Sequence, residues 1–343
     1  MGKNVEVSAA ESAAPAKTSS LAGERNIGLS LLRTWMCFEV VLAHFWRGAH
    51  GVWFFQAFDF LRDIAVPVFM IMSFYLTEPL FVSKDINRIK QRMWRVTWPQ
   101  IGWALIYAAV YGSSLSELLF QALFGHSINR SMWYQFCLIV ISALLFFLFY
   151  CFSRRTAYKT VIFLALVALI AQYSGINVVL FGSLREELNC SLGRIAETFP
   201  MAVVGLLFAK ADVLQKMRRD RAAWMAGAVL VFVVVVRLDV FSAVGGFTYA
   251  GLKPVILASC LVIFFFLLPL EKLPPFMIKI LSVATKHTLG IYCVHRLVEY
   301  FLLPETEYRV SEFAFCVLVY FLSWIVCELL SRIPVKVIRQ LVD

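Results

Sequence analysis

Ten apolar stretches, most of them long enough to cross a bilayer, dominate the chain. They fall at 27–46, 58–80, 97–113, 134–152, 160–175, 195–211, 222–240, 253–270, 283–303 and 312–333. A hydrocarbon core of about 30 Å calls for roughly 20 residues of apolar α-helix, and the third and fifth stretches sit near the lower limit. A soluble globule is excluded by the same numbers: 61% of the 343 residues are hydrophobic and 16% are charged, against roughly 45–50% and 25% in ordinary domains. The expected fold class is therefore all-α, a polytopic membrane protein of about ten transmembrane helices.

The net charge of +10 would suggest nucleic acid in a soluble chain, but its distribution says otherwise. Basic residues cluster in every second connection: Lys84, Arg88, Lys90, Arg92 and Arg95; Arg154, Arg155 and Lys159; Lys210, Lys216, Arg218, Arg219 and Arg221. Alternation of this kind follows the positive-inside rule. It predicts an even number of spans with N- and C-termini cytoplasmic, in a cell inner (plasma) membrane, and no nucleic-acid partner. Residues 1–24 are rich in Ala, Ser and Lys and read as a disordered cytoplasmic tail. Residues 25–333 form the membrane domain, and 334–343 a short cytoplasmic tail. The first stretch has no small-residue cleavage site after it and reads as a retained span.

The eight cysteines show neither CxxC pairs nor a Cys/His metal spacing, so no metal site and no disulfide framework are expected. Two external connections, 114–133 and 176–194, pair an apolar stripe with polar positions, as short helices at the outer interface do. They either roof a cavity or merely connect helices. Trp94, Trp98 and Trp133 mark helix ends and read as interfacial anchors.

Ionisable residues inside a span are costly and so point to function. Arg33 and His44 lie 11 residues apart, about 20° past three full turns, so they share one face about 16 Å apart along the axis. The pair suits a reaction in which a base, the imidazole, removes a proton from a hydroxyl while a fixed cation steadies negative charge. The competing reading has Arg33 snorkelling to the cytoplasmic interface and His44 as an interfacial polar residue. In the second span Ser73 and Tyr75 either hydrogen-bond substrate or join helices. In the ninth, His295 and Glu299, flanking Arg296, are possible cavity-lining groups.

The segment RNIGLSLLRTWMCFEVVLAHFW resembles the opening signature of the acyltransferase 3 family, an Arg and a His separated by ten residues on the first helix. AVPVFMIMSFYLT (65–77), NRIKQRMWRVTWPQIGWALIY (87–107) and TKHTLGIYCVHRL (285–297) are similar to later family segments, in the same order. The resemblance covers the chain from about 25 to 333. It implies a membrane O-acyltransferase with catalytic His44 and Arg33, and acyl-donor binding by Arg92 and Arg95. It further implies acetyl-CoA or another acyl-CoA as co-substrate, no permanently bound cofactor, and a carbohydrate acceptor on a surface polysaccharide or its lipid-linked precursor. Arg92 and Arg95, at i,i+3, are expected to point the same way, and an arginine fork suits phosphate. Departures from the family are Ser30 before LLR, Phe74 after Ser73, and Arg296 after His295. Phe74 is expected to narrow the acyl or acceptor channel. A polysaccharide or lipid-linked sugar transporter is the alternative, although no paired half-chain repeats are visible.

Overall fold

The computed structural model describes residues 26–45, 64–125, 128–173, 186–237, 252–270, 273–302 and 312–342. They form helices α1 (Ile27–Phe45), α2 (Ala65–Ser83), α3 (Ile86–Tyr111), α4 (Leu115–Phe124), α5 (Trp133–Cys151), α6 (Arg154–Tyr173) and α7 (Glu186–Phe208). There follow α8 (Ala211–Arg219), α9 (Arg221–Arg237), α10 (Leu252–Leu267), α11 (Pro275–Ala284), α12 (Thr288–Leu302), α13 (Glu312–Arg332) and α14 (Lys336–Arg339). No strand occurs among the described residues. The tail 1–24 and most of the 176–194 connection lie outside them.

Each predicted stretch contains a helix among the described residues, and five of these helices, α1, α2, α5, α6 and α13, are long and apolar enough to cross a membrane. The helices α9, α10 and α12 have 17, 16 and 15 residues. α3 starts earlier than the apolar pattern suggests, because the side chain of Asp85 caps it by accepting from the Arg88 amide at 3.1 Å. Its first turns are therefore polar helix, and Arg92 and Arg95 belong to a rigid element.

α1 packs against α2, α10, α11, α12 and α13 and so lies in the interior of the bundle. Its entry is fixed by Asn26, whose carbonyl side-chain oxygen accepts from the Leu29 amide at 2.9 Å while its amide nitrogen donates to the Phe266 carbonyl, also at 2.9 Å. This is an N-cap that doubles as a tie to α10. Gly28 permits the approach, since a Cβ there would lie 1.8 Å from the Phe265 carbonyl oxygen. α2 and α7 meet as closely at Gly205, where a Cβ would lie 2.3 Å from the Ile71 carbonyl oxygen. Small residues at such crossings are what lets apolar helices pack without a hydrophobic driving force in lipid.

Outward faces are apolar. Phe163, Leu166 and Ile170 form an exposed stripe along α6, the surface expected of a helix bathed in acyl chains. α4 is the predicted interfacial helix: Leu115, Leu119 and Leu123 face outward and Gln121 is fully buried. Gln121 accepts from the Asn129 amide at 2.8 Å, and its own backbone carbonyl accepts from Gln100 of α3 at 2.9 Å.

The C-terminal residues, expected as a tail, fold back onto α3. Trp98 Nε1 donates to the Val337 carbonyl at 2.8 Å, and Trp103 Nε1 to the Leu341 carbonyl at 3.0 Å. Trp94 stacks on Trp98, centroids 5.6 Å apart, and reaches Gln340 at 3.2 Å. Trp94 and Trp98 thus clamp residues 337–341 instead of serving only as the interfacial anchors their position suggests.

Candidate active site

A cavity of about 130 Å³ opens between α1, α2, α3, α5 and α12. Arg33 enters it from α1, Phe69 and Ser73 from α2, Arg92 from α3, Tyr134 from α5, and Thr288 and Tyr292 from α12. Among the described residues its lining brings together two arginines, Arg33 and Arg92. Such a cavity selects an anionic group or a carbonyl oxygen on which negative charge develops.

Arg92 Nη2 donates to Ser73 Oγ at 2.6 Å, which fixes the guanidinium plane across the α2–α3 gap. The Nε of the same guanidinium is buried and has no hydrogen-bond partner. One edge of the fork is therefore anchored, and a donor remains for a ligand. Ser73 accordingly joins helices and lines the cavity at once. Arg95 is exposed and outside the lining. The three-residue offset leaves the two arginines roughly 60° apart around the helix, enough at this boundary to put one inside and the other on the surface.

The aromatic wall was not singled out by the sequence. Tyr134 and Tyr292 meet edge to face with centroids 5.5 Å apart. The Tyr292 hydroxyl donates to the Ser131 carbonyl, tying the cavity to the segment beneath α4. Tyrosine in an IYxxH run was the available signal, since Tyr292 precedes His295 by three residues and so sits on its side of the helix.

Tyr75 is not in this cavity. Two residues turn an α-helix by about 200°, and Tyr75 packs edge to face on Phe266 of α10, centroids 6.0 Å apart. Phe74 also points away: it is fully buried, stacked on Phe81 at 6.5 Å. The expected narrowing of the channel is thus corrected, because Phe74 fills core space and is absent from the cavity wall. Glu299 is buried and ion-paired with Arg296, one turn beyond the histidine and outside the lining.

α1 and α12 run parallel and in register. Cys37 Sγ donates to the Thr288 carbonyl at 3.5 Å, and seven residues further along both helices the rings of His44 and His295 stack, centroids 5.0 Å apart and planes 29° from parallel. Arg33 and His44 therefore do lie along one seam, with Arg33 in the cavity and His44 further along, stacked on an imidazole of α12. His295 is fully buried, and its ring also touches Tyr292, centroids 6.2 Å apart. A continuous path results: the two-arginine cavity, Tyr292, then the paired imidazoles.

Among known families, the acyltransferase domain of the acyltransferase 3 family matches residues 26–328. No curated protein and no solved structure matches the chain. The matched range begins at the cap of α1 and ends within α13, enclosing the cavity and the histidine pair. This chain belongs to the acyltransferase 3 family of membrane acyltransferases.

Proposed function

We propose that the protein moves an acetyl or similar short acyl group from an acyl-CoA to a hydroxyl of a surface polysaccharide or its lipid-linked precursor. Ten spans carry it in the cell inner membrane, both termini cytoplasmic. The parallel run of α1 and α12 supports this topology, since the first and ninth of ten alternating spans must point the same way.

One observation carries the reading: Arg33 and Arg92, two guanidinium groups from different helices, line the same cavity. Arg92 meets a phosphate of the donor through its open edge, while Arg33 steadies the thioester oxygen as it becomes an oxyanion. The base is supplied at the His44 end of the seam, where an imidazole is placed to take a hydroxyl proton. Arg95, on the exposed side of α3, contributes positive potential at the cavity mouth and not a direct contact.

Mass spectrometry of the surface glycan from cells with and without the protein tests the reading. An acetyl mass difference per modified residue is expected, and Arg33→Ala with normal membrane insertion abolishes it. If glycan export stops while the decoration of each exported chain is unchanged, the protein is a transporter and the acyl-transfer reading fails.

A further inference from the structure

His295 holds a tautomer that its surroundings dictate. Its Nδ1 lies 3.1 Å from the Ile291 carbonyl oxygen. A carbonyl can only accept, so in the neutral ring the proton is on Nδ1 and the lone pair is on Nε2. That Nε2 is buried and has no hydrogen-bond partner, and the side chain as a whole is fully buried. An unsatisfied buried acceptor is costly, and in a native fold it calls for an explanation, often a catalytic one. Here the orphaned atom is a basic lone pair, already oriented, one turn beyond the cavity-lining Tyr292 on the same stripe of α12.

His44 is placed to support this ring. It stacks on His295 at 5.0 Å and so fixes the plane of the imidazole.

We propose that His295, through Nε2, is the group that takes the proton of the acceptor hydroxyl, and that His44 is a positioning residue stacked against it. This rests on the acyl-transfer reading above and assigns its base. In the step, the acceptor oxygen attacks the carbonyl carbon of the acyl thioester and a C–O bond forms. The hydroxyl proton passes to His295 Nε2, the C–S bond breaks, and the resulting imidazolium returns the proton to the departing thiolate. The ring is then neutral again, with Nδ1–H still held by Ile291.

Two isosteric variants separate base from scaffold. In His295→Asn the side-chain amide reproduces the Nδ1–H donor to Ile291 and deletes Nε2; His295→Gln places a polar group near Nε2 and removes the Nδ1 donor. With the full chain in nanodiscs, acetyl-CoA and isolated glycan, His295→Asn is expected to lower kcat by about 10²-fold or more with the donor KM unchanged. His44→Asn is expected to lower it less. Equal kcat in wild type and His295→Asn overturns the assignment, because a merely structural histidine is replaced by this substitution. A ¹⁵N spectrum of histidine-labelled protein provides an independent check, for which Nδ1–H is expected at His295. An Nε2–H tautomer there overturns the proposal whatever the kinetics. Failure of the underlying reading looks different: wild-type protein then transfers no acyl group from acetyl-CoA to glycan, and the base assignment falls with it.

Discussion

The guanidinium of Arg92 donates to the hydroxyl of Ser73 at 2.6 Å, so the charge facing the cavity is aimed by the cavity's opposite wall. Arg92→Lys keeps the charge and loses the fork. A charge-assisted hydrogen bond is worth about 1.5–3 kcal/mol, so the KM for the acyl donor is expected to rise about tenfold to a hundredfold. Ser73→Ala removes only the anchor and should raise it less. Titration of the donor at saturating acceptor separates the two, and a kcat effect without a KM effect in Arg92→Lys contradicts donor binding at this residue.

Close helix contact at Gly205 sets a second expectation. Gly205→Ala drives a Cβ to 2.3 Å from the Ile71 carbonyl, and overpacking of this sort costs about 1–3 kcal/mol. Gly227, in α9, meets nothing within 4 Å, so Gly227→Ala should be neutral or slightly stabilising. Thermal unfolding in nanodiscs should place the first variant several degrees below the second.

The tryptophan clamp can be weakened without changing its shape. Trp103 is 2% exposed and Trp94 is 50% exposed, although both donate to the same C-terminal segment. Trp103→Phe strands the Leu341 carbonyl in a buried site, at a cost of about 1–3 kcal/mol, whereas water can replace the Trp94 bond. Tm should fall measurably for Trp103→Phe and barely for Trp94→Phe. An equal fall for both removes the distinction drawn from burial.

α4 carries a pH-sensitive end. Ser114 donates from its amide and its hydroxyl to Glu117 at 2.7 and 2.8 Å, and these bonds hold the Glu117 carboxyl below the usual carboxylate range. A depressed carboxyl stabilises the cap above its ordinary value, near 4.3, and that stability is lost as the pH falls through the lowered one. Amide protection factors at Ser114 and Glu117 should therefore drop on acidification. In Glu117→Gln they should start low and change little.

The helices were legible because long apolar runs have few alternatives, and the stripe joining Arg33 to His44 was legible because helical geometry is rigid. Side-chain direction at a boundary was harder. Ser73 and Tyr75 were grouped by proximity in sequence, though a turn of about 200° sends them to different neighbours. Arg92 and Arg95 were grouped by i,i+3 spacing, which leaves room for a cavity edge to pass between them. The tyrosine wall joins residues about 160 positions apart, and the register of α1 with α12 joins residues 251 apart, Cys37 and Thr288. No local pattern encodes such a pairing. The Trp94 and Trp98 contacts with residues 337–341 were hidden for the same reason.

That last pairing also orders events in time. The indoles of α3 bond partners 238 to 246 residues downstream. At a synthesis rate of about 5–20 residues per second, α3 waits on the order of tens of seconds in the membrane with one flank uncovered. During that interval the ribosome, the insertion machinery or lipid must shield it. A chain released before residue 337 would leave that flank open, so quality control could recognise a truncated product by three bare tryptophans.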